Sequence, residues 1–262
     1  MTGPEMLDAA EPVNSVLPAW DLLAGAYGAF ALLAAERRRR DSGTGGEIRL
    51  ALGDVAAGAL GHLGQIAETI AAGDRARSGN ALFGAFGRDF ATLDGARIMI
   101  VAITERQWTG LLAALDLADA VAVLEAELGV SFRKEEGQRY THRGRLFPLV
   151  AAAVGARTLA EIAPRLDAEG VCWEPYRTLG RALADDPRLV SDNAIFAEAL
   201  QPSGLRYPLP GAFARMPSEA RQAAHPAPRL GGHTEKILSE DLALPQGEIA
   251  RLHDAGIVAS AP

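Results

Sequence analysis

Residues 79–107 read GNALFGAFGRDFATLDGARIMIVAITERQ. Most of the local fold follows from this stretch. Asp94-Gly95 is the strongest short hairpin signal in the chain, because glycine adopts the positive φ that a tight turn demands. The apolar runs on either side, residues 90–93 and 97–103, are its two expected strands. Thr104 followed by Gln107 forms a capping box, which should open a helix ending near Leu115. Beyond it, a second helix is expected over about 118–128, then a polar, solvated stretch over 133–145. Thr158 and Glu161 make another capping box for a helix to about Ala168. Gly170 stops that helix, and residues 171–173 read as a short buried strand containing Cys172. Together these elements predict a small α+β domain over residues 76–185.

On the amino-terminal side, Leu22, Ala26, Phe30 and Leu33 recur near helical spacing, which predicts a buried helix over about 19–40 ending in Arg37 to Arg40. Residues 41–46 read as a Gly-rich turn and 47–52 as a short strand. A helix is expected over about 54–72 with Asp54 as its N-cap. Helix, turn, strand and helix in that order is α/β grammar. Residues 1–75 are thus expected to belong to a large α/β domain, with a boundary at the glycine- and arginine-rich segment that follows. Residues 186–230 carry seven prolines and read as an extended connection. Helices then return over about 234–241 and 246–254, with Gly256 past the second, so 186–262 reads as a return linker with terminal helices. Residues 1–18 are loop-like and no strand precedes the first helix, so the chain is expected to lack an amino-terminal part, either as a truncated product or as half of a split enzyme.

Composition narrows the function. The formal charge is −7 and the sequence pI about 5.3, which excludes a basic nucleic-acid footprint. A single cysteine excludes an intrachain disulfide and a thiolate zinc cage, and fits a reducing, cytoplasmic setting. The longest apolar run, residues 22–35, is short of the roughly 20 residues that span a membrane, so no membrane association is expected. None of the five histidines stands at metal-ligand spacing, so no metal is expected. His62 reads as a packed core histidine, and His233 stands just ahead of a helix start. Nucleotide-loop and G-x-S-x-G signatures do not occur.

Two features carry chemistry. Asp21 lies at the amino end of the first helix, where open N–H groups and the helix dipole keep a carboxylate ionised. It is either an ordinary cap or a nucleophile. The segment from Gly79 through Asn80 and Gly84 to Gly87 is either an interdomain linker or a loop whose backbone N–H groups meet an oxyanion or thioester. Arg88 directly follows it and is either solvated or a clamp for a carboxylate.

These pieces together resemble the class III CoA-transferases, the CaiB/BaiF family. The matching stretches are Asp21 through Arg40 with the Gly-rich turn and Asp54, RSGN at 77–80 leading to FATLDG at 90–95, and PAPRLGGHT at 226–234. LPAWD at 17–21, GNALFGAFGRDF at 79–90 and WEPYRT at 173–178 are similar to a branch that shifts CoA from C1 to C4 of 2-methylfumaryl-CoA (mesaconyl-CoA) within one molecule. Where most family members have Pro-Tyr, this chain has Arg88-Asp89-Phe90. The resemblance implies a Rossmann-like large domain, of which this chain holds the carboxyl-terminal part, plus a small domain, in an interlocked homodimer. It also implies that Asp21 attacks the thioester to give a mixed anhydride, under the loop of Gly79 to Gly87. The thiolate then attacks the other carboxyl carbon, or the anhydride first exchanges to that carboxyl. Coenzyme A enters as part of the acyl-CoA substrate, with no permanently bound cofactor. The alternatives within the resemblance are another family III activity, intermolecular CoA transfer or acyl-CoA racemisation. Outside it stands an inactive or partner-dependent fragment.

Overall fold

Strands β1 (Phe86–Ala91) and β2 (Arg97–Ala102) pair antiparallel, as the Asp94-Gly95 turn requires, with Phe90 opposite Ile98 and Arg88 opposite Ile100. The turn closes through Thr92 N–H donating to the Ala96 carbonyl at 2.8 Å, and Gly95 sits at φ +80°. Strand β3 (Cys172–Pro175) joins the far side of β2, so β1 is an edge. The computed structural model describes residues 16–222 and 224–260. The loop expected over residues 1–18 lies outside them as far as residue 15. The chain divides into two compact units, one ending at Tyr176 and the other starting at Arg177.

In the first unit the order is α1 (Ala19–Ser42), α2 (Leu52–His62), α3 (Gln65–Ala72), β1, β2, α4 (Glu105–Leu115), α5 (Ala118–Leu128), α6 (Glu136–Thr141), α7 (Arg143–Gly155), α8 (Leu159–Ala168) and β3. Both capping boxes form: Thr104 with Gln107 at α4 and Thr158 with Glu161 at α8. Helices α4, α7 and α8 then bury their apolar stripes around the sheet. Phe86, Ile98, Ile100, Trp108, Leu111, Phe132, Leu146 and Leu166 form the centre of one core. The rings of Trp108 and Phe147 pack at 5.3 and 5.5 Å from Phe86, within the range of favourable aromatic pairs.

Several expectations are corrected. No residue of α1 is buried: Phe30 is 71% exposed and Leu33 70%. Helix α2 packs against it, and no residue of α1 becomes buried in that contact. Residues 47–52 form no strand, since a strand needs a ladder partner and none pairs with them among the described residues. The helix expected over 54–72 is two helices, because Gly64 at φ +75° breaks the turn between them. Its cap is Ala51, and Asp54 lies inside the first turn. The stretch 133–145 is not solvated throughout, because Arg139 is 1% exposed. Cys172 and His62 are exposed.

The second unit opens on α9 (Leu179–Asp185), capped by the Thr178 side chain. The proline-rich segment is not simply extended: β4 (Phe196–Leu200) and β5 (Arg206–Pro210) form an antiparallel hairpin inside it. A two-stranded ribbon has only edges, which is where strand prolines such as Pro208 and Pro210 are tolerated. The end follows the sequence closely, with α10 (Thr234–Lys236) continuing as a π-helical turn (Ile237–Asp241) and then α11 (Gln246–Asp254), past which Gly256 stands at φ +67°. Among the described residues no single helix is long and apolar enough to cross a membrane.

Candidate active site

Asp21 is exposed in the first turn of α1, whose cap residue, Pro18, supplies no side-chain bond. An anion there meets the open N–H groups and positive end of the helix. Among the described residues it has no hydrogen bond or ion pair to the loop of Gly79 to Gly87.

That loop is held, not loose. Gly79 and Gly84 lie at φ +55° and +82°. The Leu82 N–H donates to the Gly87 carbonyl at 2.8 Å, which folds the segment back on itself. Gly87 is required by close approach: a Cβ there would stand 2.8 Å from Leu82 Cβ. At the loop's tip the Phe83 ring lies between the Arg75 guanidinium, 3.6 Å from its centroid, and the edge of Tyr140 at 5.0 Å. Arg75 is in turn ion-paired with Glu68.

Downstream, Asn80 Nδ2 donates to Asp89 Oδ1 at 3.0 Å, so the loop is tied to β1. Asp89 is 5% exposed and also accepts from Arg97 Nε at 2.7 Å. Burial works against its charge, but the Arg97 guanidinium and the Asn80 amide together outweigh burial and hold the carboxyl below the usual aspartate range. Gly79, Asn80, Gly87 and Arg88 are therefore brought together around the start of β1, and Arg88 stacks its guanidinium 5.2 Å from the Phe147 ring.

Beside them lies an open concavity of about 760 Å³ between β1 and the first turns of α7. Its charged lining is four arginines (Arg77, Arg88, Arg97 and Arg143) and one carboxylate, Asp89. Arg143 and the Asp89–Arg97 pair are the residues that sequence reasoning missed. The available signal was Arg143 standing four residues before Phe147, on one helix face. Among the described residues no group of three or more His, Cys, Asp or Glu is placed to hold a metal. In the second unit His253 is engaged with Glu235 at 2.7 Å.

Comparison with known proteins gives the family. Residues 1–234 match CoA-transferase family III. The chain is 47% identical over 260 residues to the 2-methylfumaryl-CoA isomerase of Chloroflexus aurantiacus, covering 99% of this chain and 63% of that protein. Among solved structures, it superposes on a point mutant of Rv3272 from Mycobacterium tuberculosis with a TM-score of 0.67 at 22% identity, covering 92% of this chain and 58% of the other. A CaiB/BaiF family protein from Brucella suis gives 0.61 at 22% identity, over 88% and 57%. The chain thus spans somewhat less than two thirds of the relatives it matches, and it belongs to CoA-transferase family III, with that family's mixed helix-and-strand fold.

Proposed function

We propose that this chain takes part in intramolecular CoA transfer from C1 to C4 of 2-methylfumaryl-CoA, with Asp21 as the nucleophile. The observation that carries this reading is the 47% identity to a relative of that name, sustained over 99% of the chain. The exposed first-turn position of Asp21 supports it, since an accessible carboxylate is what the chemistry needs.

In this reading an Asp21 carboxylate oxygen bonds to C1, the C–S bond breaks, and CoA leaves as the thiolate. A free carboxylate carbon has no leaving group for that thiolate to displace, so exchange comes first. The thiolate takes the aspartyl carbonyl and releases the diacid. The C4 carboxylate then attacks the aspartyl thioester, frees the thiolate again, and becomes the new anhydride. Attack of the thiolate on C4 completes the transfer and restores Asp21. Such intermediates survive only where water is kept out, a task suited to the apolar side chains Leu82 and Phe83 of the Gly79–Gly87 segment. Backbone N–H groups of that loop serve the tetrahedral oxyanion, worth about 2.7–4 kcal/mol for each well-placed donor. Arg88 offers a guanidinium to an anionic group of the substrate, such as the free carboxylate.

Coenzyme A enters as part of the substrate, with no resident cofactor. The working unit is an interlocked homodimer, consistent with the uncovered apolar residues of α1. A single cysteine and net acidity suit the cytoplasm.

The test is incubation of 2-methylfumaryl-CoA with no added acceptor, with the C4 thioester resolved by chromatography. Product that forms only when a free acid is supplied replaces this reading with intermolecular transfer. Asp21→Asn should lower turnover by at least about 1,000-fold with an unchanged melting curve. Retained turnover removes Asp21 from the role.

A further inference from the structure

Arg88 lies on the same face of edge strand β1 as Phe86 and Phe90, both buried, yet its guanidinium is exposed at the rim of the 760 Å³ concavity. Arg143, half-buried at the first position of α7, lines the same concavity, and Phe147 stands one helical turn further on. Each guanidinium lies over an aromatic ring within cation–π range: Arg88 over Phe147 at 5.2 Å and Arg143 over Tyr140 at 4.2 Å from the centroid. Among the described residues neither has an ion pair. Arg143 Nη1 donates to the Tyr140 carbonyl at 3.0 Å, which fixes the fork while leaving its other donors open. The remaining carboxylate in the concavity, Asp89, is already taken by Arg97 and Asn80. Tyr140 also packs against Phe83, so the loop, Arg143 and the concavity are one contiguous structure.

Two guanidinium groups without ion pairs, lining one concavity, suit an oxyanion such as a carboxylate or a phosphate. We infer that Arg88 and Arg143 together form an oxyanion clamp for an anionic group of the acyl-CoA ligand, either the free carboxylate of a dicarboxylyl thioester or a phosphate of CoA. The identity of the ligand rests on the CoA-transfer reading above, whereas the clamp itself rests on the arginine geometry.

The experiment is calorimetric titration of the chain at low ionic strength with mesaconate, free CoA and inorganic phosphate as separate probes. The variants are Arg88→Gln, Arg143→Gln and Arg145→Gln. Arg145 removes the same charge from the same helix but pairs with Glu127 on α5. Loss of either clamp guanidinium should weaken binding about tenfold, as expected for a charge-assisted hydrogen bond, while Arg145→Gln should leave it unchanged. A loss confined to mesaconate assigns the clamp to the acyl carboxylate; a loss with CoA and phosphate assigns it to the nucleotide end. The clamp is overturned if the wild-type chain binds none of the probes, if clamp variants bind as wild type does, or if Arg145→Gln loses as much. Should Arg88→Gln fail to fold, Arg88→Lys and Arg143→Gln carry the test. Asp21→Asn separates the two ideas: it should abolish turnover and leave probe binding intact. Arginine-dependent binding in a chain without CoA-transfer activity breaks the functional reading and keeps the clamp. Active chain with arginine-independent binding does the reverse.

Discussion

Helices α1 and α4 lie in the same compact unit under opposite conditions. In α4, Trp108, Leu111 and Leu115 fall on one stripe and are all buried against the sheet. In α1, Leu22, Tyr27, Phe30 and Leu33 share one face, within about 140° of one another around the helix, yet every one is exposed. An apolar face therefore says only that a helix seeks a partner. Whether its own domain supplies one is decided by the elements that pack against it. The comparison also separates stability from chemistry, since the candidate nucleophile stands on a helix that contributes no buried residue. Trp108→Ala should cost about 3–5 kcal/mol in denaturant melts, whereas Phe30→Ala should lie within about 0.5 kcal/mol. A large cost at Phe30 that grows with protein concentration would mean that α1 is covered by a second copy.

The next largest effect lies at Arg139, again on the core side. Among the described residues this buried guanidinium has no ion pair; it donates to the carbonyls of Ala102, Ile103, Phe132 and Arg133 and lies 5.2 Å from the Trp108 ring. Burial lowers its pKa, while the charges of Glu136 and Glu105 work in the opposite direction. The group joins the end of β2 to the chain before α6. Arg139→Met fills similar space but strands those carbonyls, and should cost about 3 kcal/mol, read as a lowered melting temperature. A neutral result would show that the carbonyls find other donors, and that the packed body is less fully determined than its core implies.

The hairpin and both capping boxes were legible because each is decided within a few residues. The positive φ of Gly95 and the reciprocal bonds of Thr104 with Gln107 need nothing distant. Features that depend on a partner were not legible. Residues 47–52 have a strand-like pattern and find no ladder; residues 196–210 hide a hairpin behind prolines. Helix α7 carries Pro148 in its interior, which argues locally against a helix. The site divides the same way. Asp21, the glycine loop and Arg88 stand out by position and type, whereas Arg143 sits in a polar run and gains meaning only when α7 is laid beside β1.

Asp89 tests the link between loop and sheet through pH. Its folded-state pKa is depressed, so its stabilising contribution is full above the ordinary aspartate value near 4 and is lost as pH falls through the lowered one. Arg97 is more than half exposed, so solvent screens the pair. Asp89→Asn should thus cost about 1 kcal/mol at pH 7 and nearly nothing at the acid end, flattening the stability curve below about pH 4. If wild type and variant fall in parallel across that range, the acid sensitivity belongs to other carboxylates.

The smallest global effect is expected where the two helices begin. Helix α4 is capped reciprocally by Thr104 and Gln107, while α1 starts at Pro18 with no side-chain cap. Thr104→Ala should lower global stability by about 1 kcal/mol, because α4 is part of the cooperative core. Pro18→Ser adds a comparable cap to α1, but a helix with no buried residue can fray without unfolding the core. The gain should therefore appear locally, as roughly fivefold greater hydrogen-exchange protection of amides in the turn that holds Asp21, with the global melting point unmoved. A global rise as large as the fall in Thr104→Ala would place α1 in the same cooperative unit as α4. The exposure of its apolar side chains would then no longer measure its independence, and the end of the helix that carries the candidate nucleophile would be as rigidly held as the sheet.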